Sequence, residues 1–224
     1  MTTKRAATGA IVLAATLAAA ACSPPEKRIV DQYFSAINQE DTQTLSSFAA
    51  VRFDKKVQSW KVVSVSEEIK AAAPLPDLYS KAQAAEQAVA DNKKKAQAYS
   101  LDHYNDIQKV LEARKKNAAI PGALQETAST WDTFNHRDRE LKKEAAESRD
   151  AFEREKRYVA LSVGQVDGIE TSPGEMQTKQ VDLQLTVEGQ PQAYVMTLRR
   201  YNLTAETVQR IISRWVVFKL DPKA

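Results

Sequence analysis

Two histidines and a handful of carboxylates are the residues best placed by type to do chemistry. His103 and His136 sit in Ala- and Lys-rich stretches with Asp102, Asp106 and Asp138 nearby. If the chain doubles back about Pro121, His136 falls opposite Asp106, a grouping that could hold a divalent cation. The same side chains are ordinary solvated groups on a charged helix, and their spread around both faces favours that reading. No metal or other cofactor is therefore expected. General acid–base work would fall to a carboxylate with a raised pKa, since no histidine lies outside this stretch. Tyr33 with Asp31, or Trp60 with Tyr194, could line a small cavity, but packed core is the default for such residues. A G-x-S-x-G elbow, a P-loop and a G-x-G-x-x-G turn are absent, and Gly164 and Gly168 are too isolated to cradle phosphate. An enzyme is not expected.

The remaining reactive side chain is Cys22, the single cysteine among 224 residues. One thiol rules out a disulfide framework. It closes a segment in which Lys4 and Arg5 precede an uncharged, Ala-rich run from Ala6 to Ala21, the layout of an export signal and too short for a confident membrane span. The ending Ala19-Ala20-Ala21-Cys22 resembles the lipobox of bacterial lipoproteins, with Ala19 where leucine is typical. That resemblance implies cleavage before Cys22, acylation of its sulfur and attachment to a membrane. Several acyl chains, each buried CH₂ contributing ~0.8 kcal/mol, would hold firmly. With Ser23 rather than Asp after the cysteine, the Gram-negative sorting rule implies an outer-membrane lipoprotein facing the periplasm.

Overall charge argues against nucleic acid as a partner. The chain carries 32 basic and 29 acidic residues, a net +3 that falls to +1 without Lys4 and Arg5. The runs Lys93-Lys94-Lys95, Arg114-Lys115-Lys116 and Lys142-Lys143 lack interleaved aromatics and read as a solvated face. Arg199-Arg200-Tyr201 reads as protection for a sheet edge.

These residues must be positioned by elements with two different periods. Ile29, Val30, Tyr33, Phe34 and Ile37 recur at helical spacing, and Asp41 or Thr42 can cap a short second helix with Leu45, Phe48 and Ala49 inward. Val57 to Val65 reads as a strand. Leu78 to about Asn117 has neither Gly nor Pro and reads as one long helix; Ile120-Pro121-Gly122 reverses the chain, and a second helix runs from Leu124 to Lys156. Thr127, Trp131, Phe134, Asp138, Leu141, Ala145, Ser148, Phe152 and Glu155 form a heptad seam on it. Folding back would set Leu111 beside Trp131, Ile107 near Phe134, Leu101 beside Leu141 and Ala90 near Phe152. Tyr158 to Val166, Gln180 to Val187, Gln192 to Leu203 and Ile211 to Leu220 read as four strands, with a turn at Glu188-Gly189-Gln190-Pro191.

The expected fold is α+β: a curved antiparallel sheet packed on N-terminal helices, with a long inserted antiparallel helical hairpin, a coiled coil. Its parts are a signal peptide over 1–21, body over 22–76, hairpin over 77–157 and body again over 158–224. The element order, with the opening Ile29-Val30-Asp31-Gln32-Tyr33-Phe34-Ser35-Ala36-Ile37-Asn38-Gln39-Glu40-Asp41 and the closing Ile211-Ile212-Ser213-Arg214-Trp215-Val216-Val217-Phe218, resembles the NTF2-like or cystatin-like α+β superfamily. That scaffold serves isomerases, dehydratases, transport adaptors and secretion components alike, so the resemblance implies a fold and no single activity. The expected role is a membrane-anchored envelope module that binds a protein partner. Ala118, Ile120 and Leu124 at the hairpin tip are the candidate contact residues, and an exchange of hairpins between chains leaves an oligomer open. A small-ligand-binding body is the alternative.

Overall fold

The computed structural model describes residues 24–204 and 213–223. Cys22 and the export-type segment lie outside the described residues, as do Ile211 and Ile212. The described chain is α+β, with five α-helices and an open antiparallel sheet of five strands.

Helix α1 (Pro25–Asn38) starts with proline in its first turn, where no backbone N–H is needed. Its Val30, Tyr33, Phe34 and Ile37 stripe is buried, as the spacing requires. Helix α2 (Thr42–Phe48) is capped by Asp41, whose carboxylate accepts from the Thr44 backbone N–H at 2.9 Å and from the Thr44 hydroxyl at 2.6 Å. Strand β1 (Val57–Val65) follows, then β2 (Ile69–Ala72), a strand the sequence pattern does not announce.

Helices α3 (Leu75–Asp102) and α4 (Tyr104–Lys115) replace the single long helix, with the break at His103. Ser100, Asp102 and His103 are weak helix formers, and this is where the regular ladder yields. Helix α5 (Gln125–Val163) spans 39 residues and absorbs Tyr158 to Val163, which the sequence pattern assigns to a strand. The reason is tertiary: Phe152, Glu155, Val159 and Ser162 continue one buried stripe at spacings of three and four, and this packing outweighs the β propensity of Tyr158 and Val159. Gly164, at φ +84°, ends the helix in a conformation that favours glycine.

Strands β3 (Gly174–Val187) and β4 (Gln190–Leu203) pair along their whole lengths, from Gly174 opposite Leu203 to Val187 opposite Gln190. Glu188 and Gly189 between them both have positive φ, the geometry of a type I′ turn. Strand β5 (Val216–Pro222) closes the order β1-β3-β4-β5, with β2 pairing the first part of β3.

The long β3–β4 ribbon serves two cores because successive side chains face opposite sides. Val181, Leu183, Leu185, Tyr194, Met196 and Leu198 point to one side and pack with α1 and α2. Met176, Tyr201 and Leu203, nearer the other end of the ribbon and of opposite parity, pack with Leu75, Ala82, Phe152 and Val159 of α3 and α5. One ribbon thus fastens the short helices on one face and the bases of the long helices on the other.

Candidate interaction surface: the long helices and their footing

Every residue of the α5 heptad seam is buried or half-buried. Facing it, Leu75, Leu78, Ala82, Ala85, Val89, Asn92, Ala96, Tyr99 and His103 form a matching stripe on α3 at spacings of three and four, also covered throughout. The small side chains let the helices approach closely, and the rings interlock: Tyr79 lies 5.3 Å from Phe152 and Tyr99 5.5 Å from Phe134, centroid to centroid. Polar contacts hold the same alignment. Arg149 meets Glu86 at 2.9 Å, and Asn92 donates to the Phe134 carbonyl at 3.4 Å. Nearer the Pro121 turn, Arg114 grips both carboxylate oxygens of Asp132 at 2.7 and 2.6 Å, which lowers the Asp132 pKa.

This alignment corrects the sequence-based pairing. Tyr79 rather than Ala90 meets Phe152, and Leu101 and Leu111 are exposed rather than buried against α5. The break at His103 permits the difference, since residues on either side of it need not share one continuous phase. Leu101 is left 79% exposed, Tyr104 58% and Leu111 41%. Tyr104 and Leu111, seven residues apart, share a face of α4, and Leu101 lies on α3 just before the break, beside a groove it shares with Trp131 and Phe134. Of the tip residues, Ala118 is exposed, while Ile120 and Leu124 are half-buried. Ile120 borders a depression shared with Ala128, Asp132 and His136.

The footing of α5 on the sheet is a buried polar knot. The Tyr201 hydroxyl donates to Glu155 at 2.6 Å, Arg199 approaches the same carboxylate at 3.6 Å, and the Arg199 guanidinium stacks 3.4 Å over the Phe218 ring. Burial first, and then the neighbouring Glu155 carboxylate, push the Tyr201 phenol well above its usual pKa. Ser162 receives the Tyr201 backbone N–H at 3.1 Å and donates to the Arg214 carbonyl at 2.8 Å. Arg199-Arg200-Tyr201 lies where β5 stops pairing with β4, at Arg199 opposite Val216, and beyond that point the Tyr201 N–H is taken by Ser162 of α5. Its one foreshadowing in the sequence is Glu155 at an inward seam position.

Elsewhere the candidate groups disperse. His136 pairs with Glu140 at 3.2 Å, Asp138 with Lys142 at 2.7 Å and Asp106 with Lys109 at 3.0 Å, while His103 stacks on Tyr99. Among the described residues no three His, Cys, Asp or Glu side chains converge as metal ligands. Trp60 donates to Asp31 at 2.8 Å and lies 5.4 Å from Phe34. Tyr33 donates to the Val51 carbonyl at 3.2 Å, and burial pushes its hydroxyl up to about 12. Tyr194 is covered by Phe53 at 5.4 Å. These aromatics fill space between α1 and the sheet by packing on one another. Among the described residues no helix is long and apolar enough to cross a membrane.

No protein-family model matches the chain, and no curated protein or solved structure matches it either.

Proposed function

We propose that this chain is a non-catalytic cell-envelope lipoprotein, tethered through acylated Cys22 at the outer membrane and facing the periplasm, whose long helices act as an antiparallel coiled-coil hairpin that binds or spaces an envelope protein partner. The observation that carries the reading is the surplus apolar surface on those helices. Their inner seam is already satisfied within the chain, yet Leu101, Tyr104 and Leu111 remain exposed. Surface apolar residues scattered singly need no explanation, but Tyr104 and Leu111 on one face of α4, with Leu101 just across the break, make a cluster that suits contact with another chain. The exposed Ala118, with Ile120 and Leu124 beside it, extends that surface toward the tip.

The alternative, a lipid-anchored small-ligand binder of NTF2-like type, draws less support. Its candidate lining residues Tyr33, Trp60 and Tyr194 are consumed in mutual packing. An enzyme ranks third, because the buried carboxylate best placed for chemistry, Glu155, is committed to Tyr201 and Arg199.

The test is a pull-down from crosslinked cells with the intact tethered protein, beside a form in which Asp91 to Glu144 is replaced by a short Gly/Ser linker. Glu86 and Arg149 sit at one level, so cutting five residues above each keeps both helix bases in place. Recovery of a defined partner by the intact protein alone is the expected result. Equal recovery by both forms would remove the helices from recognition.

A further inference from the structure

A lipid tether at Cys22 would hold the start of α1 close to the membrane. Ser23 and Pro24 alone separate Cys22 from Pro25, so an acylated Cys22 sits at most about 11 Å from the first residue of the helix. Whatever surrounds that turn is held close to the headgroups, within or near one Debye length of about 8 Å at physiological salt.

Lys27 and Arg28 are both exposed in this first turn, and neither forms an ion pair with a described residue. Cations there oppose the helix macrodipole, whose positive end lies at the N-terminus. Packing does not require them, since neither side chain is covered. Behind them, the neighbouring cations are neutralised. Lys179 pairs with the buried Glu26 at 2.6 Å and Arg200 with Glu68 at 3.3 Å. Between those two cations lies the half-buried Trp215 ring, 5.3 Å from the Lys179 amine and 4.6 Å from the Arg200 guanidinium. Lys27 and Arg28 are thus the exposed charges of the first turn, its acidic Glu26 being buried and paired, and the tether delivers them to a surface.

We infer that the α1 end of the body docks on anionic lipid headgroups through Lys27 and Arg28. The inference rests on the lipid-anchor reading and adds to it an orientation and a preference for anionic lipid. Trp215 then faces the interface, where a partly buried indole beside cations is well suited.

The full chain, made with its export segment and purified in detergent, is reconstituted into phosphatidylcholine vesicles with brominated acyl chains, with and without phosphatidylglycerol. Trp60→Phe and Trp131→Phe leave Trp215 as the sole tryptophan, excited at about 295 nm to exclude tyrosine. The mass of the N-terminal proteolytic peptide reports whether Cys22 is acylated. In acylated protein, phosphatidylglycerol should increase Trp215 quenching several-fold. Each cation is expected to shift the docked-to-free ratio on the order of five-fold, so Lys27→Glu with Arg28→Glu, or about 0.5 M salt, should abolish the increase. If the double Phe variant melts early, the same charge reversal is read from total tryptophan quenching of the otherwise native chain. Acylated protein whose quenching ignores both anionic lipid and charge reversal would overturn docking and leave the anchor standing. A peptide without lipid would overturn the anchor, and the docking inference with it.

Discussion

At the scale of single residues, the buried polar groups are where this protein is most sensitive. Tyr201→Phe removes the hydroxyl that donates to Glu155 and leaves a buried carboxylate with one fewer partner. We predict a loss of about 1–3 kcal/mol in urea unfolding, larger than expected for an exposed tyrosine. Glu26 gives a pH signature. Burial works to raise its pKa, but the hydrogen bond from Lys179, the backbone N–H and the nearby positive charge outweigh that, and the carboxyl lies below its ordinary value of 4.5. A depressed carboxyl contributes stability that is present above the unfolded value and is lost as pH falls through the folded one. The urea midpoint of the native protein should therefore drop below about pH 4.5 more steeply than that of Glu26→Gln. Parallel slopes would show that the pair with Lys179 does not couple to folding. None of these partners is adjacent in sequence: Glu26 and Lys179 lie 153 residues apart. Glu155 could be placed inward from its heptad position alone, but its partner on β4 could not.

At the scale of elements, periodicity told which faces are buried and misjudged how they align. The α5 seam was readable because large residues mark it. The facing seam was not, because its middle relies on Ala82, Ala85 and Ala96, and alanines are as common on the outside of this helix as on the inside. Leu101 and Leu111 look like seam residues by type and are exposed. Two substitutions separate these assignments. Leu141→Ala, at a site 4% exposed, should lower the thermal midpoint by the equivalent of about 2–5 kcal/mol. Leu101→Ala should stay within about 0.5 kcal/mol of the native protein, while weakening partner recovery. A large loss at Leu101 in circular-dichroism melting would return it to the seam. Tyr158 to Val163 illustrates the same principle from the other side: a segment rich in strand formers is helical because the stripe from Phe152 to Ser162 gives its helical form a sheet to lie on.

At the scale of the whole molecule, the long helices are not a detachable appendage. Phe152 and Val159 of α5 and Leu75 and Ala82 of α3 share a core with Tyr201 and Leu203. Excising Leu78 to Lys156 would remove Phe152 and Glu155 and uncover Tyr201. We predict that this excision abolishes cooperative unfolding, whereas replacing Asp91 to Glu144 preserves it. Hydrogen exchange at β4 amides checks the difference, since protection there should survive only the shorter excision.

The sequence by itself determined the α1 stripe, the α2 cap and the Glu188-Gly189 turn of β3 into β4, because each depends on contacts within a few residues. It also determined the heptad phase of α5 and the class of fold, since both follow from periods of 3.5 and 2. Tertiary structure alone decided that Tyr158 to Val163 is helical, that β2 pairs with β3, that Tyr79 rather than Ala90 meets Phe152, and that Glu155 closes on Tyr201. Those outcomes depend on which surfaces meet. Where alanines or β-branched residues leave two local conformations or two alignments close in energy, the surface that covers them makes the choice.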